Sequence, residues 1–306
     1  MRCGAAGCCG TTAEDRFLRE HYGVDGTGWC TPFLLVPEVT NVDDEHLRKL
    51  CDATDRDVFL SDASPFGLPF WNLRESASER ARQRRIDDGR PGSPCSKGYV
   101  RLFNTEFTER PICTASRQYL SLKLAELAGA ELTDEQRAAW RESVLAKSCI
   151  CHDLAGGATL KNGIDPAATP AVCCGPNIVN FSRVASLEEM IGHIYGRCSL
   201  LTNPNRPHMF LRELALYIEY LERELARRRV GLSSATAEHF QESVENLRRG
   251  VEHYRRLIDR LDASERECFA GELAVLQDAV ERLWPAITAL AETPSSAAAT
   301  ETSSTV

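Results

Sequence analysis

The stretch 25–39, "DGTGWCTPFLLVPEV", decides how the first half of this chain is read. A glycine-rich turn runs into an apolar segment bounded by Gly and Pro, and that length with those boundaries predicts a buried strand over 30–39. Next comes "NVDDEHLRKLCDA" (41–53), whose Asn/Asp start and shared face of Leu47, Leu50 and Cys51 predict a helix. Upstream, "AEDRFLREHY" (13–22) reads as a further short helix. A strand followed by a helix is the half-unit of an α/β fold.

Composition bounds the rest. The 306 residues, 43% hydrophobic, suffice for one large core or two ordinary ones. Acidic residues outnumber basic ones by 44 to 36, a net charge of −8, which leaves general nucleic-acid binding without an electrostatic footprint. The basic run "ERARQRR" (79–85) is expected to be a solvated helix face. "MRCGAAGCCG" lacks the apolar core of a signal peptide and no segment reaches the length of a membrane span, so a cytoplasmic protein without membrane or nucleic-acid partners is expected. In a reducing compartment the thirteen cysteines are thiols, ligands or core residues, not a disulfide framework.

Residues 61–206 form a loop-rich α/β extension, punctuated by Pro, Gly and Ser. Thr133 with Gln136, and Ser186 with Glu189, are capping boxes that open two helices, the first running to about Lys147. From 207 to 292 three heptad stripes follow, Leu211 to Leu225, Phe240 to Leu261 and Phe269 to Leu290. Their alternating steps of four and three predict an antiparallel helical bundle, with Ser264 and Glu267 capping the third helix and Pro285 kinking it. The tail 293–306 is small and polar and is expected to be disordered.

"DGTGWCTPFLLVPE", then "DVFLSDASPFGLPF", then "CICHDL" resemble, in order and approximate spacing, the C-terminal part of the nitronate monooxygenase (2-nitropropane dioxygenase-like) family over residues 20 to 200. The matching residues are Thr31 and Phe33; Ser64, Pro65, Gly67, Pro69 and Phe70; and Cys149, Cys151 and Leu154. Cys30 stands where the family pattern has glycine, and His152 where it has asparagine. The resemblance implies an FMN-dependent oxidoreductase built on a TIM-type (β/α) barrel, acting on a small-molecule substrate such as a nitronate. It also implies that residues 1–60 hold the last strand–helix unit of a partial barrel. The other strands, and the catalytic base, then come from a companion chain or domain. None of the seven histidines matches that base, so no catalytic residue is assigned.

Gly26, Gly28 and Thr31 are the candidate FMN-phosphate residues, because a glycine-rich turn at a strand end forms an anion nest; the alternative is a tight turn without a ligand. "SCICHDLAGG" (148–157) and "AVCCGPNIVNF" (171–181) raise a second question. Cys149, Cys151, Cys173 and Cys174 supply enough thiols for zinc or an iron–sulfur cluster, but neither pair has Cys-x-x-Cys spacing. The expectation is therefore no metal, with small sulfur side chains packing a loop; a thiolate metal module is the alternative. His152 and Asp153 are expected to form a solvated or hydrogen-bonded pair, and Arg74, Arg80 and Arg84 to be surface charges. A non-enzymatic scaffold that recruits a partner through the helical bundle is a third reading of the whole chain.

Overall fold

The structure is a computed structural model that describes residues 3–6, 9–94, 104–203, 206–261 and 263–292. It divides into two compact units, residues 1–209 and 210–306. The last helix begins at Ala263, so Ser264, the predicted cap, stands within it; the tail 293–306 lies outside the described residues.

In the first unit, β1 (Gly4–Ala6) and β2 (Gly26–Gly28) pair in parallel, Gly4 opposite Gly26 and Ala6 opposite Gly28. Between them runs α1 (Thr12–Tyr22), opened by a full capping box of Thr11 and Glu14 and closed by Gly23 in the left-handed region. The strand is thus the Gly-Thr-Gly triplet itself.

The apolar run after it is not the expected strand. Cys30–Phe33 forms the short helix α2, and Leu34, Leu35 and Val36 donate their N–H groups to the carbonyls of Thr31, Pro32 and Phe33. These i to i+3 bonds satisfy the backbone locally, and Pro32 sits in the first turn, where its missing N–H costs nothing. The burial was legible even so: Leu35 and Val36 are fully enclosed.

α3 (Asp44–Asp52) follows, with Asp43 accepting the His46 N–H as its N-cap and Leu50 fully buried. Next comes an antiparallel hairpin of β3 (Val58–Ser61) and β4 (Phe70–Leu73), in register Val58 to Leu73 and Ser61 to Phe70. α4 (Ala77–Asp87), α5 (Arg117–Gly129) and α6 (Asp134–Leu145) succeed it, and α6 opens on the Thr133–Gln136 capping box. α7 (Ile150–Asp153) and α8 (Gly156–Lys161) are single turns; a 3₁₀ segment at Pro176–Asn180 leads to α9 (Leu187–Ile194), capped by Ser186 and Glu189. The main core gathers Leu35, Val36, Leu50, Leu73, Ile178 and Met190 from five of these segments.

The second unit contains α10 (Met209–Arg229, entered from the end of the first), α11 (Ala237–Leu257) and α12 (Ala263–Glu292). Stripe residues Leu211, Leu214, Ile218, Phe240, Val244, Val280 and Ile287 are all buried. Arg248 pairs with Glu281, and Arg255 bonds Gln277, so α11 and α12 run antiparallel. α12 continues through Pro285 to Glu292, and one residue before the proline Trp284 carries the Arg248 guanidinium 4.5 Å from its ring centre.

Candidate functional site

Of the predicted phosphate residues, Gly26 and Gly28 lie on β2 and Thr31 lies in α2 just beyond its C-terminal end. α2 has no side-chain cap from Trp29, whose indole N–H instead donates to Thr27. Among the described residues, its two chain neighbours apart, no heavy atom lies within 4 Å of where a Cβ on Gly26 would sit. Thr31 packs against Gly175, which has φ +66°; a Cβ at Gly175 would fall 2.5 Å from the Thr31 hydroxyl oxygen. A groove of about 530 Å³ opens at the other ends of the strands, lined by Cys3, Gly4, Asp25 and Gly26, and the Asp25 carboxylate there repels a phosphate.

The start of α1, by contrast, has its anion built in. The buried Glu14 carboxylate accepts the N–H groups of Gly10, Thr11 and Met209 and pairs with Arg206. Burial, reinforced by the Glu14 charge, pushes the neighbouring Cys9 thiol up to about 12. His193 lies alongside, its Nε2–H donating to the Gly10 carbonyl while Nδ1 accepts the Leu200 N–H; these two bonds fix its neutral tautomer. Burial holds its pKa below the ordinary value.

The second cluster forms around α7. Cys149, with ψ +56°, stands outside the helix, whereas Cys151 stands within it. Two residues apart inside a helix would face away from one another; the non-helical Cys149 turns back, and the two Sγ atoms lie 3.9 Å apart. Both side chains are half-buried. Asp153 is buried and accepts hydrogen bonds from the Ser78 hydroxyl at 2.5 Å and the Thr169 hydroxyl at 3.2 Å. Burial raises its pKa despite those donors. His152 places Nδ1 3.5 Å from Asp153 and Nε2 3.3 Å from Asp165.

The run 79–85 is not the solvated face expected. Ser78, Glu79 and Ala81 are buried, and Arg82 donates to Glu79 and to the Leu145 carbonyl. Ser78, Arg82 and Arg85 follow a step of four and then of three, so one face of α4 leans on the 145–153 segment. That spacing is the sequence signal for Arg85. Of the three arginines expected at the surface, Arg74 and Arg84 are exposed, and the half-exposed Arg80 pairs with Glu45.

The four thiols do not converge. Cys174 is enclosed in the main core, its thiol pushed by burial to about 12, while Cys173 bridges to Asn72 through its backbone. Among the described residues no group of three or more His, Cys, Asp or Glu side chains is arranged to hold a metal ion. Among the same residues no helix is long and apolar enough to cross a membrane.

Comparison with family models, with curated proteins and with solved structures finds no match for this chain.

Proposed function

We propose that the first unit is the C-terminal part of an FMN-dependent oxidoreductase resembling the nitronate monooxygenases, with the flavin phosphate at the C-terminal end of β2. The observation that supports this is the parallel β1–α1–β2 element, the repeating unit of (β/α) barrels, which carries its glycines on the second strand. In such barrels phosphate binds at the C-terminal strand ends, and here that end presents Gly28 and the uncapped first turn containing Thr31. FMN, when bound, would accept the electrons of substrate oxidation. The residues of this chain would hold its phosphate through backbone N–H groups and the Thr31 hydroxyl. A companion chain or domain supplying further strands and the base belongs to the same reading.

Titrating isotope-labelled protein with FMN tests it. FMN is expected to shift the amide resonances of Gly26 to Thr31, riboflavin to leave them in place, and Gly28→Val to abolish the response. No shift at FMN concentrations up to about 1 mM, or equal shifts with riboflavin, would sink the proposal.

A further inference from the structure

We propose that Cys149 and Cys151 are the reacting dithiol of a thiol–disulfide exchange site whose substrate is a small disulfide bearing carboxylates, with Cys149 attacking and Cys151 resolving. Three features of the α7 cluster lead there. First, the Sγ atoms already face each other at 3.9 Å, and because Cys149 lies outside the helix only a side-chain rotation and a small backbone adjustment separate the pair from bonding distance. Second, both side chains are half-buried and so reachable from solvent, whereas Cys174 is sealed in the core.

Third, positive charge is concentrated beside them. Arg85 lies on the face of α4 that leans on the 145–153 segment, and burial lowers its pKa while the negative charges of Asp153 and ionised Cys149 oppose that shift. The attraction is mutual, so Arg85 favours the Cys149 thiolate. Arg117, at the start of α5, adds a second guanidinium within electrostatic range of Arg85. The Nε groups of both arginines are buried without a hydrogen-bond partner among the described residues. The two guanidiniums give the surroundings of Cys149 a positive field, which suits a carboxylate-bearing ligand.

The chemistry balances without a metal or flavin. The Cys149 thiolate attacks one sulfur of the substrate disulfide, forming a mixed disulfide and releasing one substrate thiolate, which takes up the proton lost from Cys149. Cys151 then loses its proton and attacks the Cys149 sulfur, expelling the second substrate thiolate, on which that proton ends. Two protein thiols are oxidised to one disulfide, and one small disulfide is reduced to two thiols. His152, flanked by Asp153 and Asp165, keeps an imidazole next in sequence to the resolving thiol.

The test uses glutathione disulfide and the full chain. Trypsin releases Ser148–Lys161, a peptide whose only cysteines are Cys149 and Cys151, so the other thiols do not interfere. Reduced protein exposed to glutathione disulfide is expected to yield this peptide lighter by two hydrogens. Cys151→Ser should trap a glutathione adduct on Cys149, and Cys149→Ser should form one on Cys151 roughly tenfold more slowly. Adding Arg85→Gln to the Cys151→Ser protein should slow adduct formation several-fold, and Arg85→Lys should restore it. The proposal is overturned if the peptide keeps both thiols while exposed Cys3 or Cys268 is modified. It is also overturned if the two single variants react equally fast, or if Arg85→Gln and Arg85→Lys do not differ. None of these readouts involves flavin, so they stand or fall apart from the FMN reading.

Discussion

The Arg206 guanidinium lies across Gly10 and grips both oxygens of Glu14, Nη1 2.6 Å from Oε1 and Nη2 3.0 Å from Oε2. A Cβ on residue 10 would fall 2.7 Å from that guanidinium, which would have to shift to admit any larger residue. Residues 192 positions apart are thereby tied through a pair whose side chains are at most 8% exposed. Glu14→Ala leaves a buried cation and three backbone N–H groups without their acceptor, and is expected to cost about 3–5 kcal/mol in urea unfolding. Replacing both partners by methionine removes the stranded cation but leaves the three N–H groups unpaired, and should recover part of that loss. A double variant as unstable as Glu14→Ala would show that the pair's geometry, and not its stranded charge, sets the cost.

Acid should loosen the first unit through its buried imidazoles. Burial lowers the pKa of both His193 and His208 from the ordinary 6.5. The unfolded chain therefore binds more protons once the pH drops below that value. Stability tied to the neutral imidazoles is complete above 6.5 and is lost progressively on acidification towards the folded-state values. Urea midpoints compared at about pH 8 and about pH 5.5 should fall on acidification, and His193→Gln should reduce the slope. Equal slopes in the parent and the variant would remove His193 from this account.

Asn72 gives a prediction of the opposite sign. It is fully enclosed on β4, and neither Nδ2 nor Oδ1 has a hydrogen-bond partner among the described residues. A buried carboxamide that gains no partner on folding is costly, and Leu has a closely similar shape. Asn72→Leu is expected to raise stability by about 1 kcal/mol. A marked loss would reveal a partner for the amide.

A fragment of residues 207–292 should fold without the rest of the chain, because Phe240, Val244, Val280 and Ile287, none of them exposed, lie on two helices that pack along their length. It should be strongly helical and melt cooperatively. Within it Ile287→Ala should cost about 2–5 kcal/mol, and Val275→Lys, at a position 66% exposed, less than about 0.5 kcal/mol. A disordered circular dichroism spectrum would refute the assignment.

Local signals in this sequence carried far. Thr133–Gln136 and Ser186–Glu189 form the capping boxes their spacing announces, and the three stripes are mostly buried. These devices act within four residues or repeat along one helix, so no knowledge of the fold is needed to see them. The run 30–39 misled because hydrophobicity reports burial and not backbone conformation. Leu35 and Val36 are as enclosed as core strand residues, yet their N–H bonds close turns. The α7 cluster was half legible: Cys149 and Cys151 stand out by type, but Ser78, Arg85 and Asp165 join the segment only through contacts spanning 13 to 75 positions.

His46 has a consequence for how the first unit opens. Its Nδ1 lies within 2.9 Å of both oxygens of Asp43, the cap of α3, and its Nε2 accepts the Ala77 N–H at the start of α4. One fully buried imidazole thus terminates two helices whose first residues are 33 positions apart in the chain. Fraying either helix frees a group the other depends on, so α3 and α4 should open together as one cooperative unit. The amides of Leu50 and Ala81 should then share one exchange free energy, and His46→Ala should lower both by the same amount.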